Sequence, residues 1–147
     1  MAAPDLDRAI EQYHQALDGI LKGNSEPILQ MFSQREDVSL APPFNPAVTG
    51  RKQVVVAVER AASNYRDGEP AHFESVVKVV TSELAFIVEV ERANAKVGGR
   101  QDLSTIVLRV TTIFRPEEDI WKIVHRHADP IVFPVRGHKV GFTIYAM

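Results

Sequence analysis

A chain of 147 residues, 45% hydrophobic and 24% charged, has the size and balance of one globular domain with a real core, and leaves no room for a second. Its 17 basic and 19 acidic residues give a formal net charge of −2 without a clustered basic run, which argues against nonspecific binding of nucleic acid. Zero cysteines exclude disulfides, thiol nucleophiles and Cys-ligated zinc.

The stretch from Met1 to Asp7 lacks a basic region leading into an apolar run, and nowhere do about 18 apolar residues follow one another. The expectation is therefore a soluble, cytoplasmic protein with no membrane partner. Leu6, Ile10, Tyr13, Leu17 and Leu21 then recur at three- and four-residue steps between the start signal Pro4-Asp5 and the stop signal Gly23, the pattern of an amphipathic helix. Ser25-Glu26-Pro27 opens a short second helix that buries Ile28, Leu29, Met31 and Phe32. Val38-Ser39-Leu40 reads as a brief strand, and Pro42, Pro43 and Pro46 force a loop through Phe44 and Asn45. Thr49-Gly50 leads into a third helix expected to end near Asp67-Gly68; the Ala- and charge-rich stretch after Val54-Val55-Val56 favours helix over strand there.

From His72 the period changes to two. Strands are predicted over about 72–80, 84–96, 103–115 and 120–128, divided by Thr81-Ser82-Glu83, by Gly98-Gly99 and by Pro116 to Asp119. Helices followed by a meander define an α+β domain, with three N-terminal helices packed on one face of a curved antiparallel sheet. A turn centred on Gly98-Gly99 sets Phe86, Val88 and Val90 near Thr112, Val110 and Leu108; the next turn sets Phe114 near Trp121 and Val110 near His125. The helix-facing side then carries Phe86, Val88, Val90, Leu108, Val110, Phe114, Trp121, Ile123, His125 and His127. The outer side carries Ile87, Glu89, Glu91, Arg109, Thr111, Lys122, Val124 and Arg126, with Glu89 opposite Arg109 as a cross-strand pair. That mixed face suits contact between subunits, so a homodimer through the outer sheet face is expected. The apolar tail, residues 131–147, ends in Phe142-Thr143-Ile144-Tyr145 and is either an extra strand or a docking arm.

The densest chemistry lies in Trp121-Lys122-Ile123-Val124-His125-Arg126-His127-Ala128-Asp129-Pro130. Alternation puts both imidazoles on the face of Trp121 and Ile123, where a half-buried pair exchanges protons near neutral pH, binds a metal or holds a ligand. Satisfied structural histidines at a strand end are the competing reading. His72, His125 and His127 with Asp129 form only a weak metal constellation, and no metal or cofactor is expected. His14 falls off the apolar stripe and is expected to be solvated. No Gly-x-Ser-x-Gly elbow and no phosphate loop occurs.

The order of three helices and a meander, Gly50 before the third helix, and the closing Trp-x-Ile-Val-His-x-His run together resemble the SnoaL-like branch of the nuclear-transport-factor-two-like superfamily. The resemblance covers roughly residues 5–130, making residues 1–130 a SnoaL-like domain. It is nearest to the association domain of calcium/calmodulin-dependent protein kinase II and its bacterial relatives. It implies a cone-shaped cavity between helices and sheet, and dimers through the outer face. Among relatives of ketosteroid isomerase type, Tyr13 matches the oxyanion tyrosine, whereas Pro42 stands where the general base would be. The arginines in the cavity of the kinase association domain correspond here to Glu89 and Thr112. The resulting reading is a protein that binds a small, apolar organic molecule and, if an enzyme, transfers protons as an isomerase or dehydratase does. His125 is then the base, Tyr13 the hydrogen-bond donor and His127 their companion, with Phe32, Phe44, Phe86, Trp121 and Asp129 lining the pocket. The alternative is a non-catalytic homo-oligomeric association module.

Overall fold

The computed structural model describes residues 5–131 and the backbone at residues 133–134 and 140–141. Helix α1, Leu6–Leu21, starts at Asp5, whose carboxylate accepts a hydrogen bond from the Arg8 amide at 3.2 Å. Leu6, Ala9, Tyr13, Ala16, Leu17 and Leu21 are its buried stripe, and Gly23, at φ 89°, takes the left-handed turn that ends it. Helix α2, Glu26–Met31, has Pro27 in its first turn and stops where Phe32 becomes extended. Helix α3, Arg51–Ser63, follows Gly50 at φ 88° and turns Val54 and Val58 inward while Val56 stays exposed. The third helix therefore ends four residues before the predicted Asp67-Gly68. Tyr65–Arg66 instead form a short strand, β3, and Gly68 passes so close to Leu21 that a Cβ would collide with it. No helix among the described residues is long and apolar enough to cross a membrane.

Strands β1 (Ser39–Ala41) and β2 (Val48–Thr49) flank the proline loop; β4 (His72–Val80), β5 (Ala85–Val97), β6 (Ser104–Glu117) and β7 (Ile120–Pro130) form the predicted meander. The sheet runs β2-β1-β7-β6-β5-β3, with β4 also on β5, and β1 lies parallel to β7. This is an α+β fold, a curled half-barrel sheet with three helices. The buried core joins Leu6, Tyr13 and Leu17 of α1 and Ile28 of α2 to Ile87, Phe114 and Ile123 of the sheet. Of the tail, only β8 (Phe133–Pro134) paired with β9 (Val140–Gly141) is described; the choice between extra strand and docking arm lies outside the described residues.

Two departures from simple alternation decide which side chains face inward. The β5–β6 connection is longer than a Gly98-Gly99 turn, so Ile87 pairs with Thr112, Glu89 with Val110 and Glu91 with Leu108. With a side-chain period of two, this one-residue offset turns the whole of β5 over. Ile87, Glu89 and Glu91 are buried, and Phe86, Val88 and Val90, predicted inside, face outward. Arg109 lies beside Val90 and Asp129, not opposite Glu89. The second departure is a bulge in β7: Phe114 pairs with Ile123 but Ile113 with His125, leaving Val124 between them. Trp121 and Ile123 point inward before the bulge; Arg126 and Ala128 point inward after it. His125 and His127 are thereby moved to the outer face, and the predicted outer residue Arg126 to the inner one.

Candidate functional site

A cavity of about 80 Å³ lies among α1, α3, the proline loop and the inward residues of β5–β7. That is several times the roughly 10–15 Å³ one water needs. Leu17, Ala57, Ala61, Pro42, Ala93 and Leu108 make most of its wall apolar, and Pro42 and Pro43 bring the loop after β1 to its edge. Glu91, Arg126 and Tyr65 are the polar-headed residues on it.

Glu91 and Arg126 belong to a hydrogen-bonded network carried by four elements, α1, β5, β6 and β7. Arg126 Nε donates to the Tyr13 hydroxyl at 2.8 Å and its Nη2 donates to Glu91 Oε1 at 3.2 Å. The Thr112 hydroxyl donates to the same Tyr13 oxygen at 2.9 Å. Tyr13 and Thr112 are both 0% exposed, and Tyr13 packs edge-on against Phe114 with ring centroids 5.9 Å apart. Burial pushes the Glu91 carboxyl above the usual carboxylate range; Arg126 opposes this, and Glu89 reinforces it. Burial opposes the charge on Arg126, yet Tyr13 and Glu91 hold its proton more firmly than usual. Burial and then Glu91 push the Tyr65 phenol up to about 12, so it stays a neutral hydroxyl near neutral pH. Burial, followed by Glu91, likewise raises Tyr13 against the opposing pull of Arg126.

A second pair adjoins the first. His14 Nε2 lies 2.6 Å from Glu89 Oε2, and its ring stacks on Phe73 at 3.7 Å and 8°. The His14 side chain is 25% exposed and that of Glu89 6%. The predicted solvated helix histidine is thus held against the sheet by a buried acid.

Of the residues expected at the pocket, Phe32 borders the cavity, and Tyr13 reaches it through Arg126. Trp121 is buried in the core beside Phe32 and Ile123, without lining the cavity. Phe44 is half-buried in the proline loop, and Phe86 is exposed on the outer face. His125 hydrogen-bonds Ser39 through Nδ1 at 2.7 Å, and His127 pairs with Asp129 at 3.2 Å, all turned away from the cavity. Among the described residues, His72, His125, His127 and Asp129 do not assemble into a metal-binding group. Glu91 and Arg126 were missed because strict alternation put both outside. Their signal is a pair of acids two residues apart, Glu89 and Glu91, within a strand otherwise alternating in small and apolar residues.

A family model of the SnoaL-like domain matches residues 6–132. The chain belongs to the SnoaL-like family. No curated protein matches it in sequence. In three dimensions it is similar to a candidate calcium/calmodulin-dependent protein kinase type II association domain from Thiobacillus denitrificans, with a TM-score of 0.72 and 15% identity over 89% of this chain and 98% of that one. A candidate dehydratase of the nuclear-transport-factor-two-like family from Streptomyces avermitilis aligns with a TM-score of 0.68 and 23% identity, over 86% and 93%. A ketosteroid isomerase-like protein from Erwinia carotovora aligns at 0.71 and 12% identity, over 85% and 92%. At these identities the likenesses establish the SnoaL-like fold and no particular chemistry.

Proposed function

We propose that this SnoaL-like protein binds a small, largely apolar organic molecule bearing a carbonyl group, with or without a hydroxyl beside it, and moves a proton on it. The observation that carries the reading is the Glu91–Arg126 pair on the wall of an otherwise apolar cavity. Glu91 is the base, in place of His125, because His125 is on the other face of the sheet. A carboxylate whose proton affinity is raised by burial accepts a proton from carbon more readily than an ordinary one. In the step, the C–H electron pair moves toward the carbonyl carbon, negative charge develops on the oxygen, and the proton passes to Glu91. Arg126, aimed by Tyr13, supplies the positive charge that stabilises that oxygen, and the neutral Tyr65 hydroxyl is available to donate to it. Returning the proton to a different carbon completes an isomerisation; giving it to the oxygen of a β-hydroxyl, which leaves as water while the enolate electrons form the new C=C bond, completes a dehydration. The dehydratase and isomerase-like names of the structural neighbours agree with this class.

The test is exchange of the α-hydrogens of a small cyclic ketone in heavy water, read by proton NMR. Exchange above buffer that disappears in Glu91→Gln and persists in His125→Gln supports the reading. Exchange unaffected by Glu91→Gln, or none with any ketone of a panel, removes it.

A second reading rests on a separate observation, the apolar outer face of the sheet. Val77, Val79 and Phe86 are 40%, 41% and 37% exposed and lie in adjoining cross-strand rows with Val88 and Ile113. A patch of this kind favours association with a second copy, as in a homodimer or a non-catalytic association module.

A further inference from the structure

Glu89 and Glu91 stand two residues apart on the inward side of β5, both buried. Arg126 meets Glu91, and His14 meets Glu89. With both acids ionised, one guanidinium leaves this buried cluster one negative charge in excess. A proton on His14, or on one of the two acids, cancels it. Low surrounding polarity makes such an excess costly, so the charge state of the cluster and that of His14 are bound together. His14 is also the most exposed member of the two pairs, at 25% of its side chain, while Glu89, Glu91 and Arg126 have 6%, 9% and 12%.

We propose that the His14–Glu89 pair is the proton port of the site: His14 takes up or releases the cluster's exchangeable proton at the surface of α1, and its charge sets whether Glu91 stands ready to accept one. Phe73, stacked on the imidazole, and Glu89, bonded to its Nε2, fix the ring for this task. His14 and Glu89 are positioning residues that act through Glu91. Facing Glu91 are Tyr13, His14 and Asp18 from α1, Tyr65 from β3, Arg126 from β7 and Glu89 from its own strand. Among these, the His14–Glu89 pair combines a buried charge with a solvent-reaching imidazole. Burial and Glu89 push Glu91 upward while Arg126 and His14 pull it down, in accord with this arrangement. The functional part of the inference rests on Glu91 acting as the base; the electrostatic part does not.

The experiment follows the Glu91 side-chain carboxyl carbon by NMR against pH in the full chain, with thermal melts to verify folding. In His14→Gln the midpoint is expected to rise by about one unit, that is, tenfold in proton affinity. In His14→Lys, where a fixed cation replaces the imidazole, it returns to the wild-type value or below. In Glu89→Gln it falls. His14→Gln and Glu89→Gln each replace one charge of the same contact by a neutral amide, so a merely structural role shifts Glu91 the same way in both, whereas the two charges shift it in opposite directions. Shifts of equal sign, or none in His14→Gln, overturn the proposal. If Glu89→Gln does not fold, the two His14 variants decide alone. Ketone exchange lost in Glu91→Gln but indifferent to His14 would instead leave the base reading standing and the port refuted.

Discussion

Tyr13 and Arg126, 113 residues apart, meet at 2.8 Å because the bulge at Val124 reverses the parity of β7. Without that inserted residue the guanidinium would lie on the outer face and Tyr13 would bury a hydroxyl against the imidazole of His125. Tyr13 thus links the first helix to the last strand of the meander. Replacing it by Phe leaves Arg126 Nε and the Thr112 hydroxyl without their shared acceptor. Tyr13→Phe is expected to cost about 1–3 kcal/mol, measured as a lower denaturant midpoint at unchanged slope.

The Arg126–Glu91 pair gives a larger effect. Arg126→Met leaves a buried carboxylate with its cation gone, a loss of about 3–5 kcal/mol at neutral pH. Glu91 in that variant has a folded proton affinity further above its unfolded one. Such a group contributes stability that is fully present below the unfolded value, near 4.5, and is lost as pH rises through the folded value. Arg126→Met should therefore recover stability on acidification. Adding Glu91→Gln should restore much of it at neutral pH, whereas a single variant as stable as wild type would show the pair to be inert.

How far the sequence could be read follows from the same two irregularities. Helix α1 was legible because Asp5 caps it and its apolar residues keep a three-four period; the four meander strands were legible from their period of two. Family membership followed from element order and the Trp121 run. Which face each strand buries was not legible. A bulge leaves no mark on alternation, since Val124 is an ordinary strand residue, and Gly98-Gly99 does not reveal that the connection continues to Leu103. Both errors are one residue long. Together they replaced Glu91 and Arg126 by His125 and His127 in the expected site. Tyr13 escaped because a helix stripe is unaffected by strand register.

The outer face makes an assembly prediction whose residue choice depends on that correction. Ile87, expected outside, is 3% exposed and part of the core. Ile87→Arg is therefore expected to unfold the subunit. Phe86→Arg, one residue away, should leave the thermal melt of the subunit nearly unchanged and convert a dimer to a monomer in sedimentation velocity. Equal damage from both substitutions would contradict the assigned β5 parity, and a wild-type monomer at micromolar concentration would remove the dimer.

His125 is the remaining titrating group with a defined direction. Burial, and then the neighbouring His127, lower its proton affinity below the ordinary value of 6.5, with the Ser39 contact opposing them. A base depressed in this way contributes stability that is full above 6.5 and is lost as pH falls through its folded value, because the unfolded chain takes up the proton first. Wild-type unfolding free energy should accordingly drop on going from about pH 7.5 to about pH 5.5, within the range where imidazole titrates. Other groups contribute to that slope, so the decisive comparison is with His125→Gln, which keeps a polar group beside Ser39 but cannot titrate. Its profile should be flatter over the same interval, by an amount kept small by the partial exposure of the ring. If the outer face forms the dimer, acid should also weaken association in the wild type more than in the variant, since protonation puts charge beside Ile113 in the interface. A profile in His125→Gln as steep as that of wild type would mean that the ring is solvated and its place on the outer face carries no energetic consequence.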